Sequence, residues 1–352
     1  MSNKILHFGL AGLGNIALTH ARAISGHENA RVSAACSRSE ENRKHFGEEF
    51  DVPLYSDYSE MLDHDHLDAV AICTPSGSHL EYARKAAEAG KHVVIEKPIE
   101  ITVERGLEII ECCRQNGVKL TVIYQNRYSD GAIQMRRSLK TGAIGSPVMA
   151  RASVKWYRDQ DYYNKSSWRG TLKLDGGGAV INQAIHTLDL LIWLMGDLEA
   201  VSAFKATLTH PGIEAEDNAM AILKFRSGAL ALFEASTSIV PAQPRRIEIN
   251  GTSGTVILED DRFIQVKSED YDSDIQGPEP GSESRPGAGA ADPMAGMGME
   301  LHFRQYDQFI DAIINNKTPD ITGEESLRSL AAVEAIYRSD AEGRTVSMDE
   351  IP

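Results

Sequence analysis

The chain of 352 residues is long enough for two domains of ordinary size, and its 42% hydrophobic and 25% charged residues are typical of a globular protein. The formal net charge of −15 argues against nucleic acid or an anionic membrane as a partner, because both favour a basic protein face. The amino terminus lacks a basic region followed by a long apolar core, and no apolar run approaches the length of a membrane span, so we expect a cytoplasmic protein.

The first predicted element is an apolar strand, Ile5 to Gly9, followed by a glycine turn and by a helix that extends to Ile24. In a turn of the form G-x-G-x-x-A, the first glycine permits a tight bend and the second lets the backbone approach a pyrophosphate. The pyrophosphate would lie on the amides at the amino end of the helix. A purely structural turn is the alternative. The pattern therefore predicts dinucleotide binding by Gly12, Gly14, Asn15, Ile16 and Ala17.

A second predicted strand, Arg31 to Cys36, ends where an NAD-specific site usually places Asp or Glu beside the adenosine ribose. Here Ser37 and Arg38 follow instead. They suit a 2′-phosphate, to which Arg would donate charge-assisted hydrogen bonds, so they favour NADP and leave NAD open. In the alternative interpretation Arg38 faces solvent or stacks on adenine.

Strands and helices continue to alternate as far as Ile123, which predicts a parallel sheet with right-handed crossovers. Together with the glycine turn, this indicates a dinucleotide-binding Rossmann domain over residues 1–125. The further strands are predicted at 69–73, 93–95 and 119–123, and the further helices at 81–89 and 103–115.

A charged pair follows the apolar strand predicted at 93–95. Glu96 and Lys97 come directly after Val93 to Ile95, and ligands bind at the carboxyl ends of strands in open α/β sheets. Pro98 biases Lys97 toward an extended backbone, which would present its amine to a cleft. A solvated surface loop is the alternative.

From Val148 onward the sequence shows short strands with alternating character and turns such as Asn250-Gly251, which predict an antiparallel sheet. We expect a second, α+β domain over residues 126–352, with a long loop at Gly277 to Gly298 and two amphipathic helices near the end. Packing of these two helices back on the first domain is an open alternative. The strands are predicted at 149–157, 201–208, 218–225, 230–236, 246–250 and 255–259, and the two helices at 301–315 and 324–338.

A glycine loop in the second domain precedes a helical pattern from about Ala179 to Met195. The glycines, Gly176 to Gly178, let the backbone approach a ligand closely. Asn182 and His186 lie four residues apart and so share a face of that helix. From these residues alone, His186 is either a catalyst or a hydrogen-bonded core residue.

The cysteines and the paired histidines predict no metal site. Cys36, Cys73, Cys112 and Cys113 have neither the number nor the spacing of a disulfide framework or a zinc site. His64 and His66 form an H-x-H pair, but a metal would need further ligands, so we expect a solvated loop.

Several segments taken together resemble the glucose-fructose oxidoreductase, inositol dehydrogenase and MocA family over nearly the whole chain. Within that family the sequence pattern is similar to that of sugar and nucleotide-sugar dehydrogenases, including the UDP-N-acetylglucosaminuronate 3-dehydrogenases. The resemblance implies a Rossmann domain joined to an α+β domain with a large, mostly antiparallel open sheet, often assembled as homodimers or homotetramers through that sheet. The matching segments are GLGNIA, TPSGSH, EKP, QNRY and WRGTLKLDGGGAVINQAIHTLDLLIWLMG.

The resemblance also implies roles for individual residues. Lys97 and His186 match the catalytic lysine and histidine of the family. Positions on the cofactor side are Gly12, Gly14, Asn15, Ile16, Ala17, Ser37, Arg38, Thr74, Pro75, His79, Glu96 and Lys97. We expect the sugar pocket to be shaped by Tyr124, Gln125, Arg127, Tyr157, Trp168, Arg169, Asn182 and Asp189.

Asn182 departs from inositol dehydrogenase-like relatives, which carry an aspartate four residues before the histidine. An amide cannot stabilise an imidazolium by charge. Our hypothesis is an NAD(P)-dependent oxidoreductase that moves a hydride between a secondary hydroxyl of a sugar, cyclitol or nucleotide-sugar and the nicotinamide. His186 would take the hydroxyl proton while Lys97 hydrogen-bonds the same oxygen. An NAD-dependent glycosidase that oxidises its substrate transiently and a non-catalytic dinucleotide-binding sensor are the alternatives.

Overall fold

A computed structural model of the protein describes residues 4–267 and 299–352. The chain divides into two compact units. Of the described residues, the first takes in 4–125, 173–176 and 299–330, and the second takes in 126–172, 177–267 and 331–352. The loop expected at Gly277 to Gly298 lies outside the described residues. Within the described ranges, no helix is long and apolar enough to cross a membrane.

The first unit is built on a six-stranded sheet. Its strands are Leu6–Ala11 (β1), Ala30–Cys36 (β2), Leu54–Tyr55 (β3), Ala69–Ile72 (β4), His92–Ile95 (β5) and Leu120–Val122 (β6). Their order is β3-β2-β1-β4-β5-β6, and every neighbouring pair is parallel. This confirms the predicted parallel sheet. The strand order changes direction between β1 and β4, and such a switch point is where α/β sheets bind their ligands.

Helices of the first unit begin where side chains can cap them. Ser39, Asp57 and Thr102 each accept a hydrogen bond from a backbone N–H in the first turn of the helix that follows. The short strand β3 and the two helices beside it had not been predicted, because they lack a long hydrophobic repeat. The helices are Asn15–Ser25 (α1), Glu40–Gly47 (α2), Tyr58–Leu62 (α3), His79–Glu88 (α4) and Val103–Gln115 (α5).

The second unit is built on an eight-stranded sheet. Its strands are Pro147–Lys155 (β7), Leu198–Ala206 (β8), Asn218–Phe225 (β9), Leu230–Ser236 (β10), Arg246–Gly251 (β11), Gly254–Glu259 (β12), Arg262–Lys267 (β13) and Val346–Ser347 (β14). The order is β13-β12-β11-β7-β10-β9-β8-β14. All neighbours are antiparallel except β7 and β10, so the prediction of a mostly antiparallel sheet is confirmed.

Helical segments of the second unit differ in two respects from the prediction, one of which is a short helix at Gln160–Asn164 that had not been predicted. They are Asp130–Lys140 (α6), Gln160–Asn164 (α7), a π-helical stretch Ala179–Ala184, and Ile185–Met195 (α8). A single helix had been expected from Ala179 to Met195. The first turn is wider, because π-helices bond residue i to residue i+5. The face that Asn182 and His186 share is therefore not that of a regular α-helix.

Two helices follow the undescribed stretch: Met299–Ile314 (α9) and Gly323–Glu342 (α10). Phe309 and Ile310 of α9 are buried in one hydrophobic cluster with Leu6 and Phe8 of β1. Ile24 of α1 belongs to the same cluster. Helix α9 is thus part of the core of the first unit, although it lies far along the chain from β1.

Candidate active site

The glycine turn after β1 has the geometry that a dinucleotide requires. Gly12 has φ +91°, and a Cβ atom there would lie 2.8 Å from the carbonyl group of Cys73, so only glycine fits. Gly14 is the residue before α1, and a Cβ atom there would meet no atom of residues 4–267 and 299–352 within 4 Å. Asn15 is exposed, whereas Ala17 is fully buried against the sheet. The open space at Gly14 and the amino end of α1 suit a pyrophosphate.

The end of β2 carries Ser37 and Arg38, as the sequence predicted. Ser37 Oγ accepts a hydrogen bond from the backbone N–H of Ser39 at 3.3 Å, and the Arg43 guanidinium donates to the Ser37 carbonyl. The Arg38 side chain is exposed. Hydroxyl and guanidinium groups therefore lie at this edge of the first sheet.

His79 ties together the loops that follow β4 and β5. Its Nδ1 lies 3.0 Å from the carbonyl oxygen of Pro98, and its Nε2 lies 2.9 Å from the carbonyl oxygen of Thr74. The imidazole is fully buried. Thr74 and Pro75 are half-buried in the same loop. The buried His79 side chain therefore positions the loops at this edge of the sheet through its two hydrogen bonds.

Glu96 and Lys97 follow β5 and are both half-buried. Glu96 Oε1 lies 2.7 Å from Nε2 of His20, a residue of α1 that is fully buried. Burial acts to raise the pKa of the Glu96 carboxyl, but the imidazoles of His20 and His302 outweigh burial and hold that pKa well below its usual range. The carboxylate at this edge is therefore ionised at neutral pH.

The chain leaves β6 through Tyr124 and Gln125, which are both buried. The Tyr124 backbone N–H donates to Gln305 Oε1 at 3.1 Å, and Gln305 Nε2 donates to the Val122 carbonyl at 2.8 Å. Gln305 belongs to α9, so a helix near the end of the chain fixes the end of β6. The sequence pattern gave no sign of this contact.

In the second unit, the glycine loop is anchored by Glu216, which sequence reasoning missed. A Cβ atom at Gly178 would lie 1.8 Å from the Glu216 carbonyl oxygen, so the two backbones touch. The Glu216 carboxylate accepts hydrogen bonds from the N–H of Val180 at 2.9 Å and from the Tyr337 hydroxyl at 3.0 Å. Burial raises the pKa of this carboxyl, and the hydrogen bonds limit the rise. Glu216 thereby fixes the start of the π-helical stretch.

Asn182 lies in a network of amide and phenol groups. Its Oδ1 accepts from Gln183 Nε2 at 2.7 Å, and Gln183 also donates to the Tyr162 hydroxyl at 2.8 Å. Arg158 Nη2 donates to Gln183 Oε1 at 2.9 Å. His186 is half-buried on the turn that follows. Tyr162 and Gln183 had not been predicted, because Tyr162 lies in the short helix α7 and Gln183 in the π-helical stretch, and neither segment carries a recognisable pattern.

Aromatic side chains and guanidinium groups lie close together beside this network. The Arg169 guanidinium carbon lies 4.3 Å from the centroid of the Tyr162 ring and 5.5 Å from that of Trp168. Tyr157, which follows β7, is 46% exposed. An arginine stacked on an aromatic ring keeps donors for an anion.

Arg127 and Asp189, both assigned above to the sugar pocket, contact each other. They form an ion pair in which Arg127 is 5% exposed and Asp189 is 1% exposed. Of the pocket residues predicted in the second unit, Arg127 and Asp189 therefore contact each other. Asn182 and Arg169 both contact the Tyr162 side chain.

Comparison with known proteins identifies the family. Residues 6–124 match the family described as the oxidoreductase family, NAD-binding Rossmann fold, and residues 136–348 match the oxidoreductase family, C-terminal alpha/beta domain, both of the GFO_IDH_MocA group. The chain belongs to this family. It is accordingly an oxidoreductase with an NAD-binding Rossmann domain, which confirms the reaction class and the cofactor class expected from the sequence.

Similar proteins cover nearly the whole chain. The WlbA dehydrogenase of Bordetella pertussis, solved with NADH and UDP-GlcNAcA, is 33% identical, with 98% of this chain and 99% of that chain covered and a TM-score of 0.85. WlbA of Chromobacterium violaceum, solved with the same ligands, is 32% identical over 99% of this chain and 97% of that chain, also with a TM-score of 0.85. D-apiose dehydrogenase of Paraburkholderia graminis is 28% identical over 97% of this chain and 89% of that protein.

Proposed function

We propose that the protein is an NAD-dependent dehydrogenase of a nucleotide-linked sugar that carries a carboxylate, of the UDP-GlcNAcA type. The observation that carries the proposal is the similarity to the two WlbA dehydrogenases, at 33% and 32% identity over nearly the full length. The sugar and cyclitol dehydrogenases named among the relatives are less similar, at 28% for D-apiose dehydrogenase and 26% for the inositol 2-dehydrogenase of Rhizobium meliloti. The guanidinium of Arg169 supports an anionic substrate.

For the cofactor, we propose NAD, held along the carboxyl edge of the first sheet, in place of the NADP that Ser37 and Arg38 favoured, because the two similar WlbA dehydrogenases were solved with NADH. The glycine turn would receive the pyrophosphate, Ser37 and Arg38 the adenosine ribose, and the loops after β4 and β5 the nicotinamide half. When bound, the nicotinamide ring accepts the hydride from the substrate carbon. The residues proposed to hold it are Gly12, Gly14, Asn15, Ile16, Ala17, Ser37, Arg38, Thr74, Pro75, His79, Glu96 and Lys97.

For the proton, we propose His186 as the general base and Lys97 as the hydrogen-bond donor to the same hydroxyl oxygen. The positive charge of Lys97 would stabilise the developing alkoxide. Asn182 presents an amide where some relatives have a carboxylate, so no negative charge there stabilises a protonated His186. The electrostatic stabilisation of the alkoxide would therefore depend mainly on Lys97.

For the sugar pocket, we propose Tyr124, Gln125, Tyr157, Trp168, Arg169 and Asn182, supported by Arg127 and Asp189. Arg169 has donors beside two aromatic rings, which suits a carboxylate or a phosphate. Arg127 and Asp189 neutralise each other in a buried pair, so their contribution is to hold α8 in place.

The test is reduction of NAD by the purified protein with UDP-GlcNAcA. UDP-GlcNAc, which lacks the carboxylate, is the matched control substrate, and NADP is the matched control cofactor. We expect Lys97→Met and His186→Gln each to lower kcat by about 10²-fold or more, as for loss of an acid–base group. Higher kcat/KM with inositol or a free aldose than with UDP-GlcNAcA would contradict the proposed substrate. Release of a sugar without net NADH would indicate the glycosidase instead.

We also propose a homodimer or homotetramer formed through the exposed face of the second sheet. Phe204 of β8 is 77% exposed, and its register partner Met220 of β9 is 53% exposed. Ile222, two residues further on the same face, is 58% exposed. A contiguous apolar patch on a sheet favours association. The cytoplasmic location stays a prediction of the sequence.

A further inference from the structure

Behind Glu96, three side chains from separate parts of the first unit form a hydrogen-bonded chain. The Tyr306 hydroxyl of α9 lies 2.7 Å from Nδ1 of His20, and Nε2 of His20 lies 2.7 Å from Oε1 of Glu96. His20 is fully buried and Tyr306 is 1% exposed. None of the proposed substrate or cofactor roles uses His20 or Tyr306.

Chemistry fixes the direction of the hydrogen bonds in this chain. An ionised carboxylate only accepts, so Nε2 of His20 carries the proton, and Nδ1 accepts from the Tyr306 hydroxyl. Burial lowers the pKa of His20, which favours the neutral imidazole, and burial raises the pKa of Tyr306 well above its ordinary value. Both directions agree with a neutral donor chain that ends on a single negative charge at Glu96.

The other carboxylate oxygen of Glu96 contacts the residue proposed above to act on the substrate. Glu96 Oε2 accepts a hydrogen bond from the backbone N–H of Lys97 at 3.1 Å. We propose that Tyr306 and His20 are positioning residues, which hold the Glu96 carboxylate against the Lys97 backbone and so set the position of the Lys97 amine. This inference rests on the proposed role of Lys97.

A metal site is the rival interpretation, because His20, Glu96 and His302 place one possible ligand atom each within 4.8 Å of one another. The distance of 2.7 Å between His20 Nε2 and Glu96 Oε1 is that of a hydrogen bond, whereas two ligands of a tetrahedral zinc ion lie about 3.3 Å apart. His302 Nε2 is 3.8 Å from Glu96 Oε1, too far for a hydrogen bond. The geometry therefore favours a proton-bearing chain.

The titratable groups that face Glu96 come from four elements. They are His20 on α1, His302 and Tyr306 on α9, Cys73 after β4, and Lys97 itself. Nε2 of His20 lies 2.7 Å from Oε1, which is a hydrogen-bond distance, whereas Nε2 of His302 lies 3.8 Å from it. Loss of the His20 donor would leave the half-buried Glu96 carboxylate less stable in its ionised form, so the pKa of Glu96 would rise.

The experiment compares His20→Leu, which removes the donor, with His20→Gln, which restores an N–H near the position of Nε2. We expect His20→Leu to lower kcat by about tenfold or more, because displacements of about 1 Å can cost up to 10²-fold, with little change in KM for UDP-GlcNAcA. In His20→Leu, the acid limb of the profile of kcat against pH should move to higher pH than in the wild-type protein. His20→Gln should restore most of kcat and the original limb.

Two further variants separate positioning from packing. Tyr306→Phe keeps the ring and removes only the hydroxyl, so it should fold and give a smaller change in the same direction. His27→Leu is the matched control, because His27 also lies between α1 and α9, where it stacks on Phe303 with ring centroids 3.8 Å apart, but it does not contact Glu96. It should leave the kcat profile unchanged.

Binding of NADH, followed by its fluorescence, and thermal unfolding of each variant are measured without substrate. These two measurements show whether a variant is folded, whatever the substrate is. If UDP-GlcNAcA proves not to be the substrate, the proposed function fails. The kcat profiles are then measured with the substrate that is found. A folded His20→Leu variant with the wild-type profile would overturn the inference. Equal losses in His20→Leu and His20→Gln would also overturn it, as would retention of one equivalent of zinc after dialysis.

Discussion

Arg127 and Asp189 form a buried ion pair with two hydrogen bonds: Nε donates to Oδ2 at 2.8 Å and Nη2 donates to Oδ1 at 2.6 Å. The pair joins the segment that follows β6 to helix α8. The guanidinium carbon of Arg127 also lies 5.7 Å from the centroid of the Trp193 ring, on the same helix. Two-point contact with a carboxylate gives the pair a fixed geometry, which a single lysine would not provide.

We expect Asp189→Ala to lower the free energy of unfolding by about 3–5 kcal/mol, because it leaves a buried guanidinium without its carboxylate. Arg127→Met should cost a similar amount. The double variant should cost less than the sum of the two, since neither charge is then left alone. Urea unfolding measures all three. Additive losses would show that the two side chains do not stabilise each other.

The two glycines of the first turn should respond differently to alanine. Gly12→Ala places a Cβ atom 2.8 Å from the Cys73 backbone at φ +91°, so we expect lower stability and loss of NADH binding. Gly14→Ala meets no atom of the described chain within 4 Å, so stability should be retained while NADH binds more weakly. Thermal unfolding and NADH fluorescence titration check both variants. Unchanged NADH affinity in Gly14→Ala would place the pyrophosphate elsewhere.

The buried thiol of Cys36 should react slowly. Burial and, to a smaller extent, the nearby Asp57 carboxylate raise the pKa of Cys36 to about 11. At about pH 8 the thiolate fraction should be roughly two orders of magnitude below that of an unperturbed cysteine. Iodoacetamide labelling, followed by peptide mass spectrometry, should accelerate about tenfold per pH unit up to about pH 11. Urea-denatured protein is the control, and fast labelling of the folded chain would contradict the prediction.

Stability should decrease on mild acidification. Burial lowers the pKa values of His7, His20, His27 and His92, so between about pH 6.5 and 5 the unfolded chain binds more protons than the folded chain. The contribution of these four histidines to the free energy of unfolding is complete above about pH 6.5 and decreases as the pH falls below that value. His20→Gln should reduce the slope of unfolding free energy against pH by up to about 1.4 kcal/mol per unit. Parallel slopes for the two proteins would argue that His20 is protonated in the fold.

The proposed assembly has a direct test in solution. Met220→Glu introduces a charge on the exposed apolar face of β9, so we expect a lower mass by light scattering after size-exclusion chromatography. Met299→Glu is the matched control, because Met299 is 49% exposed, close to the 53% of Met220, and lies on α9 of the first unit. A monomeric wild-type protein, or an unchanged mass for Met220→Glu, would contradict assembly through this face.

Many strands and helices of the first unit could be predicted from the sequence, because each depends on a pattern of neighbouring residues. Val93 to Ile95 form a buried strand, as their apolar run predicted, and Glu96 and Lys97 follow at its carboxyl end. Helix α5 has the predicted bounds, with Thr102 as its cap. A strand, a cap and a glycine turn each depend on neighbours within a few residues, so periodicity and turn chemistry suffice to find them.

Only the tertiary structure shows which side chains support the ends of these strands. His20, Gln305 and Tyr306 read as ordinary residues of amphipathic helices. Yet His20 and Gln305 bond the ends of β5 and β6 across 76 and 181 positions of sequence, and Tyr306 bonds His20 across 286 positions. The same holds for Glu216, which anchors the glycine loop from the connection between β8 and β9. The sequence by itself determined most strands and the longer helices and the family motifs, and it predicted Lys97 and His186 as the reacting groups. Packing of distant helices and strands determined which buried side chains hold those groups in place, because such contacts leave no local pattern.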